Sequence, residues 1–325
     1  MPETVSAISL DQYIGYWQDD SFRFEWPCLF TSPPWICAWS PTLGADLEPY
    51  LLSVQRDGRI IGFVPVYLAG NEAHLLGGAD VCDYLEFAVA AGEEIPFFES
   101  LFSHLREVGV ERLDLQPLHP ESSVCRTLPE LADRLRCDIS WKADEPVFEM
   151  LLPGSWDDYL YRLSGKQRHE VRRKFRRLED AGNYQLRIIQ DADAIPDAMD
   201  AFLWLFRMNR NDKSAFMTDE METYFRRLSS ELGKAGILRL YFLDLDNETA
   251  AATLCFDYES TIYLYNNGYD NRFRALSVGM MSKLLSIKDG IVNGKRVYSF
   301  LKGAEPYKAQ LGGESVMLKR CHIRL

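Results

Sequence analysis

The sequence predicts an α/β protein of two halves, each built on a mixed sheet. Three observations carry this. The 325 residues exceed one small core and suit two domains of ordinary size. The order three strands, helix, strand, helix, strand can be read twice along the chain. Between the two runs stands Pro153-Gly154-Ser155. That break divides the chain into domains at 1–152 and 153–325.

In the first half, Leu51 to Gln55 meets Asp57-Gly58, a hairpin dipeptide, and Arg59 to Leu68 returns as an apolar strand. Ala73 to Leu76 is a third short strand. Phe98, Leu101, Phe102 and Leu105 recur at helical spacing within Ile95 to Val108. Arg112 to Leu115 is a strand, Ser122 to Leu135 a helix, and Val147 to Leu152 the closing strand.

The second half opens on Ser155, an N-cap followed by Asp157 and Asp158, whose charges suit a helix start. Helices are expected at 156–163 and 166–181, then a strand from Tyr184 to Gln190. Ala194 to Asn211 and Thr218 to Leu232 are helices. Ile237 to Leu243, Thr249 to Tyr258 and Thr261 to Asn267 are strands joined by hairpin-sized turns. Met281, Leu284, Leu285 and Ile291 mark a helix over Val278 to Val292, ended by Gly294. A strand at Arg296 to Phe300, a short helix at Glu305 to Leu311 and a strand at Ser315 to Ile323 complete the half. One helix crossing between two strands implies a right-handed parallel unit.

Hydrophobic residues at 47% and charged residues at 26% exclude a disordered chain. The longest apolar stretch, Ile60 to Gly70, is strand-sized, so no integral membrane segment is expected. Residues 1–20 carry acids and no apolar signal core. Seven cysteines, an odd number without a CxxC pair, point to reduced thiols in a cytoplasmic protein, not to disulfides or zinc. The five histidines sit at no metal-ligand spacing, so no metal is expected. Residues 1–150 hold 9 basic against 25 acidic residues, a net −16, while residues 151–325 hold 27 against 23, a net +4. An anionic ligand therefore meets the second half.

Several segments together resemble the CelD-like proteins. These are relatives of the GNAT acyltransferases and of the Fem peptidoglycan transferases, linked to cellulose or exopolysaccharide synthesis. The segments are Ser32 to Trp39, the basic stretch Leu160 to Glu179, Tyr263 to Asp270, Ser277 to Gly279 and Phe300 to Lys308. The resemblance runs from about residue 25 to the end. It implies a tandem GNAT-like (acyl-CoA N-acyltransferase) fold and an acyl donor, coenzyme A or acyl-CoA, used as co-substrate.

The resemblance also names residues. Arg274, Ser277, Val278, Gly279 and Met280 match the GNAT turn whose peptide N–H groups hold a pyrophosphate at a helix start. Ser277 stands where that turn carries its first glycine. Ser277 can cap the helix, though its Cβ narrows the turn. Tyr307 matches a tyrosine that protonates a leaving thiolate, although Tyr307 and Gly312 stand five positions apart where the pattern has four. Lys308 matches a Fem-like lysine that favours charge at the acyl carbonyl. Asp270 and Glu305 are the nearest carboxylates for deprotonating an amine, with Asp257 a further one. Cys255, in an apolar strand, reads as a core thiol.

The basic helix carries Arg168 and Arg172 at i, i+4, an anion-binding face for phosphates, an acidic carrier protein, a tRNA end or a lipid headgroup. No stacking aromatics interleave it, which argues against DNA. The leading expectation is an enzyme, an N-acetyltransferase-like acyltransferase, moving an acyl group from a small-molecule donor to an amine or sugar acceptor in exopolysaccharide or cell-envelope synthesis. A Fem-like aminoacyl-tRNA-dependent transferase and a non-catalytic binding module in polysaccharide secretion stand beside it.

Overall fold

The computed structural model describes residues 3–19, 21–78, 80–209 and 215–325. Contacts divide the chain into two compact units, Met1–Glu145 with Met317–Leu325, and Pro146–Val316.

The first unit contains β1 (Glu3–Ile8), α1 (Leu10–Gln18), α2 (Pro33–Trp39), β2 (Pro49–Arg56), β3 (Arg59–Ala69), β4 (Glu72–Leu75), β5 (Ala88–Val89), α3 (Glu94–Glu107), β6 (Arg112–Leu118) and α4 (Ser123–Leu135). Its sheet runs β1-β2-β3-β4-β6, with β5 paired to β3 and only β4–β6 parallel. The sheet continues onto β13 (Glu314–Arg324), whose residues Lys319–Arg324 lie antiparallel to β6. The hairpin expected at Asp57-Gly58 forms, with φ of 54° and 77° at the two turn residues, as a tight two-residue turn requires. Aromatic rings fill the core: Trp35, Phe63, Phe97, Phe98 and Phe102 are all at 0% exposure. Each such side chain stabilises the fold by about 1.5–3 kcal/mol.

The sequence reading omitted β1, α1, α2 and β5. The signal for α1 was present: Ser9 and Gln12 form a reciprocal capping box. Helix α2 opens on Pro33 and Pro34, and proline at a first helical turn loses no hydrogen bond. The strand expected at Val147 to Leu152 is the end of a longer one, β7 (Asp138–Leu151). Its first residues alternate, with Ile139 and Trp141 between exposed Asp138, Ser140 and Lys142, a strand signal the sequence reading passed over.

The second unit follows its expected order closely. It contains α5 (Trp156–Arg162), α6 (Gly165–Ala181), β8 (Tyr184–Ile189), α7 (Ile195–Asn209), α8 (Asp219–Lys234), β9 (Leu238–Leu245), β10 (Glu248–Tyr258), β11 (Thr261–Tyr269), α9 (Val278–Val292), β12 (Val297–Lys302) and α10 (Pro306–Gln310). Positions 210 and 211 of the expected helix Ala194 to Asn211 lie outside the described residues. Strands β8 to β11 form an antiparallel meander, β11 and β12 are parallel across the α9 crossover, and β12 pairs antiparallel with residues 147–151 of β7. Ser155, Ser164 and Thr218 cap α5, α6 and α8 through their side chains, each contributing about 1 kcal/mol. Helix α9 supplies the centre of the core with Val278, Met281, Leu284 and Ile287 at 0% exposure. Both units are thus of the mixed α/β kind expected.

Candidate active site

Strands β11 and β12 pair only from Thr261–Tyr263 against Val297–Ser299. Beyond that, β11 runs on to Tyr269 beside β10, while β12 runs on to Lys302 beside β7. Two parallel neighbours that stop bonding leave a wedge between them. The turn after β11 and the start of α9 stand at its β11 side, and α10 follows β12.

The turn is a short 3-10 segment, Asn271–Leu276, ended by Ser277 in the left-handed region at φ 59° and ψ 36°. A non-glycine residue there costs about 1 kcal/mol, which is why a glycine suits this position. Ser277 does not cap α9 with its side chain, contrary to the capping role expected of it. Its hydroxyl instead accepts a 2.8 Å hydrogen bond from Lys174 Nζ of α6. Met280 and Met281 both donate their N–H to the Ser277 carbonyl. The N–H groups of Val278 and Gly279 have no backbone acceptor among the described residues. Gly279 is buried, and a Cβ there would stand 2.7 Å from Cδ1 of Tyr269. Arg274 is exposed. Arg177 of α6 donates to the Ala275 carbonyl.

Sequence reasoning missed two lysines here. Lys174 was read only as one charge of a basic helix. It sits between Ser277 Oγ and Glu170, whose carboxylate is 3.2 Å away. Lys283 was passed over within the apolar stripe of α9. It is 6% exposed, donates a 2.9 Å hydrogen bond to the Gly279 carbonyl, and lies 4.7 Å from the centre of the Tyr307 ring. A lysine four residues after a glycine, inside an apolar helix face, was the available signal.

Tyr307 leaves its ring edge-on to Phe300. Burial, with Glu305 and Cys255 adding to it, pushes its hydroxyl well above the ordinary tyrosine range, so it stays protonated and able to donate. Lys308 is 2% exposed; its ammonium donates to the carbonyls of Leu301, at 3.0 Å, and Lys302, and pairs with Glu305 at 3.1 Å. Leu301 itself has φ 60°, so Lys308 secures a strained loop at the end of β12. Glu305 is exposed and has that ion pair. Asp270 is 0% exposed and both its oxygens accept from Arg272, one from the peptide N–H and one from Nε, each at 2.8 Å. It braces the turn. Asp257 pairs with Arg239, at 3.5 Å, and with Lys295.

Arg168 and Arg172 do not form one shared face. Arg168 turns inward to the carbonyls of Leu160 and Tyr161, at the end of α5, whereas Arg172 is exposed. Cys255 is fully buried, and burial raises its thiol well above the usual range, as a core thiol requires. In the first unit, Glu72, His74 and Asp114 have ligand atoms within 4.8 Å of one another, a grouping that linear spacing hid because β4 and β6 pair in parallel. Arg320 already grips Asp114, with Nε 2.8 Å from one oxygen, and Arg112 grips Glu72 at 3.0 Å.

Residues 165–309 match the family described as an acetyltransferase (GNAT) domain. That match spans less than half of the chain; with the fold, it defines the class as far as a mixed α/β tandem GNAT fold whose residues 165–309 are similar to GNAT acetyltransferase domains. Among solved structures it is similar to FemX, at 12% identity and a TM-score of 0.66, over 99% of this chain and 97% of that one. It is similar to a conserved protein of unknown function from Bacteroides thetaiotaomicron VPI-5482, at 13% identity and a TM-score of 0.65, over 99% of both chains. It is also similar to L-PGS from Bacillus licheniformis, at 11% identity and a TM-score of 0.52, over 84% and 83%. These likenesses establish the fold. No curated protein matches the sequence. Among the described residues no helix is long and apolar enough to cross a membrane.

Proposed function

We propose that the protein transfers an acyl group from an acyl-CoA, or a related phosphopantetheine thioester, to an amine or sugar acceptor in cell-envelope or exopolysaccharide synthesis. The observation that carries the reading is the pair of N–H groups at Val278 and Gly279, which start α9 without backbone acceptors beside the Lys174 ammonium. Peptide N–H groups at a helix start, joined by a cation, suit a phosphate. The wedge between β11 and β12 leads from that turn toward α10 and would take the pantetheine arm. Tyr307, held protonated, is the proton donor to the leaving thiolate. Lys308 acts by holding the loop at Leu301 and Lys302 in place. Asp270 acts by bracing the donor turn, and Glu305 is the carboxylate left most open to an incoming amine. Arg274, exposed at the turn, adds charge for the donor's outer phosphate.

Calorimetry with acetyl-CoA tests this. Binding in the micromolar to millimolar range, weakened about tenfold when Lys174 is replaced by Met, is the expected result; no binding at millimolar ligand sinks the reading. A second reading, a Fem-like transferase using charged tRNA, is favoured by the likeness to FemX over nearly the whole of both chains. It predicts binding of aminoacyl-tRNA that weakens steeply with salt, in place of CoA binding.

A further inference from the structure

Helix α6 has two sides with different work. Its inner side reaches the donor turn, where Lys174 bonds to Ser277 and Arg177 to the Ala275 carbonyl. Its outer side exposes Arg172 and Arg176, neither of which has a carboxylate within ion-pair distance among the described residues. Three other exposed arginines of the same unit are paired, Arg187 to Asp244, Arg207 to Glu222, and Arg226 to Asp200 and Glu222, while Arg162, Arg274 and Arg296 have no carboxylate within ion-pair distance among the described residues. Arg172 and Arg176, one helical turn apart, repel each other; Glu179 and Asp180 lie three and four positions after Arg176, whereas Arg172 has no acidic residue three or four positions away on α6. Uncompensated like charge on one helix face is relieved by an acidic partner.

A cavity of about 500 Å³ adjoins this helix. Val171 of α6, Met280 and Leu284 of α9 and Leu311 after α10 give it aliphatic walls, and Lys174 and Glu170 supply charge. No aromatic residue is among those that line it. A nucleobase, whether from coenzyme A or from a tRNA end, gains most from an aromatic platform. A flexible aliphatic arm with a phosphate at one end needs only such walls and a cation.

We propose that the acyl donor arrives on a small acidic carrier protein, which docks on the Arg172 and Arg176 face of α6 and passes its phosphopantetheine arm along the adjoining cavity to the donor turn and the wedge between β11 and β12. This rests on the donor reading given above and names the source of the donor. The arm's phosphate then meets Lys174 and the open N–H groups of Val278 and Gly279, and the carrier's acidic surface meets the outer arginines. The thioester chemistry is unchanged: the acceptor nitrogen or oxygen forms a bond to the acyl carbon, the carbon–sulfur bond breaks, and the freed thiolate of the carrier takes a proton.

The test uses the full chain and a fluorescently labelled bacterial acyl carrier protein, in its phosphopantetheine-bearing and its bare form, followed by anisotropy at low and high salt. The phosphopantetheine-bearing form is expected to bind more tightly than the bare form and to weaken with salt. R172E/R176E is expected to weaken it about tenfold or more, because charge reversal turns attraction into repulsion. Calorimetry with coenzyme A on the same variant is expected to stay within about threefold of the unaltered chain. Thermal melting of R172E/R176E verifies that the exposed changes leave the fold intact. If coenzyme A binds and the carrier does not, or if R172E/R176E binds the carrier as before, the carrier inference is overturned and the donor reading stands. If charged tRNA displaces the carrier and binds more tightly, the face serves nucleic acid instead. If neither coenzyme A nor carrier binds, the donor reading itself fails and this inference with it.

Discussion

Lys174 Nζ lies 2.8 Å from Ser277 Oγ, joining a helix that precedes the first strand of the second unit to the turn that starts α9. The bond explains how a serine stands at a left-handed position without capping its helix: the hydroxyl is spent on the lysine. It also sets a cation beside two open peptide N–H groups. Lys174→Met is expected to weaken coenzyme A binding about tenfold, the worth of one charge-assisted contact. Stability should change by less than about 1 kcal/mol, since the lysine is partly solvated. Calorimetry and a denaturant melt read the two numbers.

Gly279 is required by packing. A methyl group there would press on the Tyr269 ring at 2.7 Å. Gly279→Ala is expected to destabilise the chain by about 1–3 kcal/mol, the range for overpacking. Tyr269→Leu added to it should restore much of that loss in a urea melt. A Gly279→Ala chain that melts like the unaltered one contradicts the packing account.

Tyr307 and its neighbour Lys308 separate chemistry from support. Tyr307→Phe removes a hydroxyl that has no hydrogen-bond partner among the described residues, so the fold should hold while kcat falls about a hundredfold with little change in KM. Lys308→Met strips the Leu301 and Lys302 carbonyls of their donor. It should cost about 2–4 kcal/mol of stability. Equal melting of the two variants would contradict this division of labour.

Glu170 is held down to about 2, first by the Arg173 hydrogen bonds, against the opposing effect of burial, and then by Lys174. A carboxyl depressed in the folded state adds stability that is present above the ordinary carboxylate range and is lost as pH falls through about 2. The contribution is small because the group is exposed. NMR titration should find Glu170 ionised at pH 3.5, and a midpoint near 4.5 would refute its pairing. Glu170→Gln removes a negative charge beside the donor turn and should tighten coenzyme A binding a few-fold.

The second unit was legible because its segments agree at every level. Ser155, Ser164 and Thr218 stand where helices begin, Asp246 and Asn247 take the positive φ of a hairpin turn, and Met281, Leu284 and Ile291 keep helical spacing. The start of the first unit was not, because α2 begins with two prolines and β5 is only two residues long. At the site, sequence reached Ser277 to Met280, which chain order alone places at a helix start. It could not assign Lys174 or Lys283, whose roles depend on contacts across 103 residues and across a buried helix face. Arg168 misled for the same reason: i, i+4 spacing says which residues are neighbours on a helix, not which way a long side chain folds back.

The antiparallel ladder between residues 319–324 and β6 has a consequence for biosynthesis. The first unit takes its finishing strand from residues made long after β6. Until residues 319–324 leave the ribosome, that edge of β6 waits with an unsatisfied row of peptide groups, a template for wrong partners. A short deletion within 319–324 should therefore damage the first unit before the second.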